Sequence, residues 1–308
     1  MKQQKQGVMG DSYTRTDLAY EWVGEAEEEE QGIRQTSERL PFGTQHTLRI
    51  LDARAARHVG RPMGEYITIC CDPMWKLDPT VQDALEAVTA SRLMEMLTEQ
   101  TGKRSVEDMA VMVVGLGNRA ITADAIGPLA VDALLVTRHL KDHEPEIFRG
   151  MACCAVSALA PGVLGQTGME VAEIVAGATR RCRPDAIIAI DALAARSCDR
   201  LAATIQLTNT GISPGSGVGN DRCALTSDTM GIPVIALGVP TVVDSSTLVY
   251  DALAQAGIEQ VDDRLREILE NGRRFYVSPK EADVIAERTA AIIAHAINRA
   301  LVGVAGLA

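Results

Sequence analysis

The stretch that most constrains this chain covers residues 110–128 and reads AVMVVGLGNRAITADAIGP. It opens on five apolar residues, the short continuous run expected of a strand covered on both faces in a parallel sheet. Gly115 and Gly117 then permit a sharp turn, and a loop carries Asp124. Pro128 suits the first turn of a helix, where its missing N–H costs nothing, and residues 129–140 continue with helix formers. In open α/β sheets, chemistry gathers beyond the carboxyl ends of strands. Asp124 sits on such a loop, just ahead of a helix N-terminus that favours its charge, and is the first candidate catalytic residue.

The rest of the chain repeats this alternation. Residues 1 to about 38 are polar, with a tetra-Glu run at 27–30 that reads as a solvated arm. A first strand is expected over 66–71, ending at Asp72-Pro73, and Asp78-Pro79 opens an amphipathic helix to about residue 100. After the organising strand come a strand at 151–157, a Gly-rich loop at 161–168 and a helix at 169–180. Next is a second apolar run of five, 186–190, closed by Asp191. Further strands are expected at 201–210 and 233–237, separated by the glycine-rich GISPGSGVGN, with Gly238 ending the second. A helix at 246–255 follows, and Ser278, with Glu281 in the capping-box position, starts a long amphipathic C-terminal helix. The fold class expected is α/β, a mostly parallel twisted sheet with helices on both faces. No linker divides the chain after about residue 60, so one domain is expected.

Of the 308 residues, 46% are hydrophobic but only 3% aromatic, so the core must be aliphatic. A formal net charge of -11 argues against a phosphate-binding surface, and nucleic acid is not expected as a direct ligand. Seven cysteines without a Cys-x-x-Cys, two pairs of them adjacent in apolar runs (Cys70/Cys71, Cys153/Cys154), read as small hydrophobes of a reducing cytoplasm. No apolar stretch is long enough to span a bilayer, and the N-terminal residues lack a signal-peptide core, so a soluble cytoplasmic protein without membrane contact is expected.

Several sites fail on their residues. Ser216 has Pro214 where a nucleophile elbow needs glycine, His143-Glu144 lacks the second zinc-ligand histidine, and no Walker loop exists. Gly115-x-Gly117-x-x-Ala120 formally fits the dinucleotide fingerprint, yet residues 121–127 separate it from the helix that should receive the pyrophosphate, and the 151–157 strand has no acidic end. The other reading is carboxylate chemistry. Asp124 and Asp191 each lie at or beyond the carboxyl end of a buried parallel strand, and facing one crevice they would share a proton and serve as base toward water and acid toward a leaving amine. For either aspartate alone, capping a turn or helix is the simpler role.

Taken together, GLGNRAITADAIGP, CAVSALAPGVLGQTGME, AIIAIDALAARS, TIQLTNTGISPGSGVGN and GIPVIALGVPTVVD resemble the germination (spore) protease family of spore-forming bacteria. The resemblance implies an aspartic-type endopeptidase, without cofactor or metal, that degrades small acid-soluble spore proteins at germination. It implies a zymogen that cleaves itself and a homotetramer acting in the spore core or forespore. The family's catalytic aspartates fall on Asp124 and Asp191, with Gly115, Gly117, Asn118 and Gly127 shaping the site. Its substrates are cut after an acidic residue in a motif of Glu, then Phe or Ile, then Ala-x-Glu. The run from Asp17 and Leu18 through Ala19 and Tyr20 to Glu21 is close to that pattern, with Asp for Glu and Leu for Phe or Ile. Cleavage between Asp17 and Leu18 would make 1–17 a propeptide and 18–308 the peptidase domain, with 18–60 flexible or peripheral. The family in turn resembles the hydrogenase maturation endopeptidases, whose nickel is held by carboxylates and a histidine. His46, His58, His139, His143 and His295 all fall outside the strand-end loops, which leaves a nickel-dependent peptidase and a nucleotide-binding α/β module as the alternatives.

Overall fold

The computed structural model describes residues 16–23, 32–213, 223–258, 261–271 and 275–303. The tetra-Glu run at 27–30 and the glycines at 215, 217 and 219 lie outside them. The strands are β1 (Ile33–Leu40), β2 (Gly43–Ile50), β3 (Gly64–Cys71), β4 (Ala110–Gly115), β5 (Ala155–Leu159), β6 (Ala186–Ala195), β7 (Thr204–Thr208), β8 (Val234–Asp244) and β9 (Tyr276–Val277). They form one sheet in the order β1-β2-β3-β7-β8-β6-β4-β5, with β9 added to the end of β8.

The parallel part that the apolar runs predicted is β5-β4-β6-β8. The other half is antiparallel, because β7 runs against β8 and the meander β1-β2-β3 continues from it, so the sheet as a whole is mixed. Within the segment 18–60, expected to be flexible or peripheral, the residues 33–50 make the hairpin at one end of that order. Its two-residue turn, Pro41-Phe42, joins Leu40 to Gly43. One face of the hairpin is wet, which is why its sequence reads as polar.

Helices cover both faces. On one, Pro79–Thr101, Ile126–Asp132 and Ala282–Leu301 pack on Ile67, Ile69, Val111, Val113, Ile188, Ile190 and Ile235. On the other, Val171–Cys182 covers Met112, Val114, Ile187 and Ala189. The first helix begins where Asp78 accepts from the Thr80 and Val81 amides at 2.9 and 3.1 Å, and Gly102 closes it in the left-handed region at φ 69°. No helix among the described residues is long and apolar enough to cross a membrane.

Several boundaries differ from expectation, the largest for local reasons. Pro145 starts a helix that runs to Met151, and Ala152 ends it at φ 48°, so the following strand begins at Ala155. The helix after Asp124 stops at Asp132. Asn298 accepts from the Leu135 amide and donates to the Ala133 carbonyl, and the Thr137 hydroxyl donates to Cys154 O, fixing residues 133–137 as a connection. The C-terminal helix begins at Ala282, and neither Ser278 nor Glu281 caps it with a side chain. β6 and β8 run on through Asp191 and Gly238, which the sequence alone placed at strand ends.

Cys153 and Cys154 are buried, and burial pushes the Cys154 thiol up to about 12, as it does that of Cys71. A thiol with a raised pKa carries almost no thiolate near neutrality. Alkylation of the native protein at pH 8, read by peptide mass mapping, should label the exposed Cys223 first. Cys198, exposed but with its thiol also pushed up, should follow more slowly. Cys153 and Cys154 should react only after denaturation.

Candidate active site

β4 ends at Gly115, opposite Ile190 of β6, while β6 continues beside β8 to Ala195. Asp191 is therefore the first residue of β6 beyond its β4 neighbour. The helix Ile126–Asp132 packs directly on this step. A Cβ on Gly127 would stand 2.2 Å from Leu116 O and 2.8 Å from Ile190 O, and a Cβ on Gly115 would stand 2.2 Å from Gly127 O. Only bare backbone fits in both places.

That close crossing fixes the loop before the helix. Gly117 turns at φ 114°, a conformation glycine adopts at little cost, and its own Cβ would meet Asp124 O at 2.0 Å. The Asn118 amide donates to Asp124 Oδ2 at 2.7 Å, and Thr241 of β8 donates through its hydroxyl to Ala123 O at 2.6 Å. The Asn118 side-chain oxygen accepts from Gln166 Nε2 at 2.8 Å, tying in the short helix Leu164–Thr167 that stands where a Gly-rich loop was expected. An amide of the glycine turn is thus taken by Asp124 itself, in the place where a dinucleotide would need it for phosphate.

Asp124 and Asp191 line one cavity of about 870 Å³. Asp191 is 6% exposed and accepts from the Ala192 amide at 2.9 Å, whereas Asp124 is half-buried. The sheet supplies the floor. Asp191, Gly238 and Gln206 are neighbours in register across β6, β8 and β7, so Asp191 and Gln206 project from the same face with a residue lacking a side chain between them.

Asp17 lines the same cavity. Its amide donates to Ala194 O at 2.8 Å, and its Oδ2 accepts from the Ala194 amide at 2.9 Å. Leu18, 1% exposed, packs with Leu193, Ala195, Leu201 and Val243. Burying such a side chain contributes about 1.5–3 kcal/mol. The arm segment 16–23 is thus tied down, whereas residues 1–15, with Asp11, and residues 25–30, with Glu25, are outside the described residues.

The five histidines lie elsewhere. His46 is on β2 and stacks on Tyr20 with ring centroids 4.0 Å apart, while the others sit in the helices Ala53–Val59, Arg138–His143 and Ala282–Leu301. Among the described residues, no group of three or more His, Cys, Asp or Glu is arranged to hold a metal ion. Gln206, Arg61 and Thr241, all lining the cavity, were not singled out from the sequence. The signal for Gln206 was there: TIQLT alternates, with Ile205 and Leu207 turned to the core, leaving Gln206 on the opposite face.

The crossing gives a direct test. Gly127→Ala should cost about 1–3 kcal/mol through overpacking and remove most activity by displacing Asp124. Gly150→Ala, where a Cβ meets nothing within 4 Å, should do neither. Thermal melts paired with a cleavage assay check both variants.

The family model and the curated relatives carry the same description. A model of the family described as germination protease matches residues 17–258. A germination protease of Caldanaerobacter subterraneus subsp. tengcongensis is 39% identical, over 93% of this chain and 94% of its own. One from Clostridium perfringens is 40% identical over 82% of each chain, and one from Bacillus cereus 42% identical over 78% of this chain and 65% of its own. Among solved structures, the [NiFe] hydrogenase maturation protease HycI from Thermococcus kodakarensis covers 67% of this chain and 99% of its own at 15% identity. Its TM-score of 0.33 is too low to carry an argument about fold or metal. With a family match that begins at Asp17 and takes in all three cavity aspartates, this chain belongs to the germination protease family.

Proposed function

We propose that the chain is an aspartic-type endopeptidase made as a self-processing zymogen, with Asp124 and Asp191 as its catalytic pair. The observation that carries this reading is the single cavity lined by Asp124, Asp191 and Asp17, the last being the residue before the expected cut. Two carboxylates facing one confined space hold a single proton between them more cheaply than two charges, and they titrate as a unit. The ionised member takes a proton from water as the water oxygen bonds to the peptide carbonyl carbon. The protonated member gives its proton to the carbonyl oxygen. As that adduct collapses the C–N bond breaks, the leaving amine takes the proton now held by the first member, a hydroxyl of the adduct gives its proton to the second as the carbonyl re-forms, and the original one-proton state returns.

By family likeness, the substrates are the small acid-soluble spore proteins, the assembly is a homotetramer, and the enzyme works in the cytoplasm of the spore core. The same likeness makes residues 1–17 the propeptide and 18–308 the peptidase domain. An acid-triggered release fits a protease stored beside its substrates. As pH falls from neutrality the pair gains its shared proton, and at still lower pH both carboxylates are protonated and the base is lost, so processing should peak at mildly acidic pH.

The test is the intact mass of purified full-length protein over a pH series. It should shorten at mildly acidic pH to a new N-terminus at Leu18, with or without a chelator, and stay full length near neutrality. Asp124→Asn and Asp191→Asn are nearly isosteric and should each abolish shortening without lowering the melting temperature appreciably; Asp17→Lys should block it with the pair untouched. Near wild-type shortening in either Asn variant would show that residue to be structural. Shortening restored by one metal after chelation would move the chemistry to the maturation-peptidase class.

A further inference from the structure

The docked arm shows how a peptide is held beside the carboxylate pair, and the groups that hold it lie outside that pair. Arg61 follows Gly60, the left-handed cap of the helix Ala53–Val59, and its own amide donates to Ala56 O at 3.2 Å. From there its guanidinium donates to Thr16 O at 2.5 Å and stands 4.0 Å from Asp17 Oδ1, while the Ala194 amide holds Oδ2. A third carboxylate entering a cavity that already contains two, in a chain of net charge -11, is repelled unless a cation meets it. Arg61 is the cation in place.

Gln206 acts on the main chain. Its Oε1 accepts from the Ala19 amide at 2.7 Å, and its Nε2 donates to the Asp17 carbonyl oxygen at 3.1 Å. The carboxamide therefore grips the peptide on both sides of Leu18. Its donor rests on the carbonyl oxygen of the Asp17–Leu18 bond, where negative charge develops as water attacks and before the pair's proton arrives, and a donor there stabilises that charge. Further along, Glu21 accepts from the Arg196 amide at 2.9 Å and from the Thr16 hydroxyl. Acidic residue, apolar residue and the later glutamate are each met by a separate group.

Resting on the peptidase reading, we propose that Arg61, with the Ala194 amide, reads the acidic side chain before the cut. In the same proposal Gln206 donates to the scissile carbonyl while clamping the residue after it. The aliphatic side chain after the cut enters the pocket of Leu193, Leu201 and Val243, where Leu18 sits.

The test is a double-mutant cycle on self-processing of the full chain, followed by intact mass at mildly acidic pH. With Arg61 present, Asp17→Asn should slow shortening about tenfold or more, as expected for loss of the anionic member of a partly buried ion pair. In an Arg61→Gln background the same substitution should change the rate less than about threefold, with Arg61→Lys restoring much of the discrimination. Gln206→Glu, of the same shape but lacking the donor when ionised, should slow shortening by about 100-fold. Relative to wild type it should recover as pH falls and its carboxyl regains a proton to donate, a readout that a purely structural role would not move. Melting curves establish that each variant is folded; if Gln206→Glu is not, Gln206→Met replaces it and should show the same loss without the pH recovery. An undiminished Asp17→Asn effect in the Arg61→Gln background, or wild-type rates in a folded Gln206 variant, overturns the proposal while leaving the peptidase reading standing. Wild-type protein that never shortens overturns both.

Discussion

The site depends on one backbone crossing. Gly115 at the end of β4 and Gly127 in the following helix approach so closely that neither position has room for a Cβ. This contact seats the helix on the step where β6 outlasts β4, and the loop that precedes the helix is drawn back over the sheet. Asp124 reaches the cavity because of that contact, and the Asn118 amide and Thr241 hydroxyl hold its loop in place. A side chain at either glycine would push the loop away from Asp191, which stands on the rigid sheet.

Around this point the sheet divides its labour. One face is filled by the aliphatic core under the helices Pro79–Thr101 and Ala282–Leu301. The other face is covered by Val171–Cys182 only as far as Ile187 and Ala189, and the next residue outward on that face is Asp191. The arm fills the opening, with Leu18 in an apolar pocket and Asp17 held by Ala194. Placing an acidic residue there is unfavourable by itself. Burial of Leu18, the Gln206 clamp and Arg61 offset that cost.

Asp124 was legible because an apolar run, two glycines and a carboxylate before a proline have few other uses in an α/β chain. Asp191 was legible as a candidate but misplaced as a strand end, because whether a strand continues depends on its neighbours, here β8, which local sequence does not reveal. The antiparallel half was harder. β1 and β2 show little apolar alternation since one face meets water, and their polarity resembled that of the arm before them. Arg61 carries no local mark at all: its meaning comes from a fold that brings a helix end to residue 17. Gln206 carried a mark, a polar residue alternating with core isoleucine and leucine, but only the structure shows that this face opens on a cavity.

The central claim is that one chain places its own Asp17–Leu18 bond in the cavity of its own Asp124 and Asp191. The most direct measurement is the order of the self-cleavage reaction, followed by intact mass over a hundredfold range of protein concentration. A tagged Asp191→Asn chain mixed in serves as a substrate that cannot cut itself. The account predicts a first-order rate independent of concentration, with the tagged chain left whole while the wild-type chains shorten. A rate that rises with concentration, with the tagged chain cut alongside the others, would contradict it.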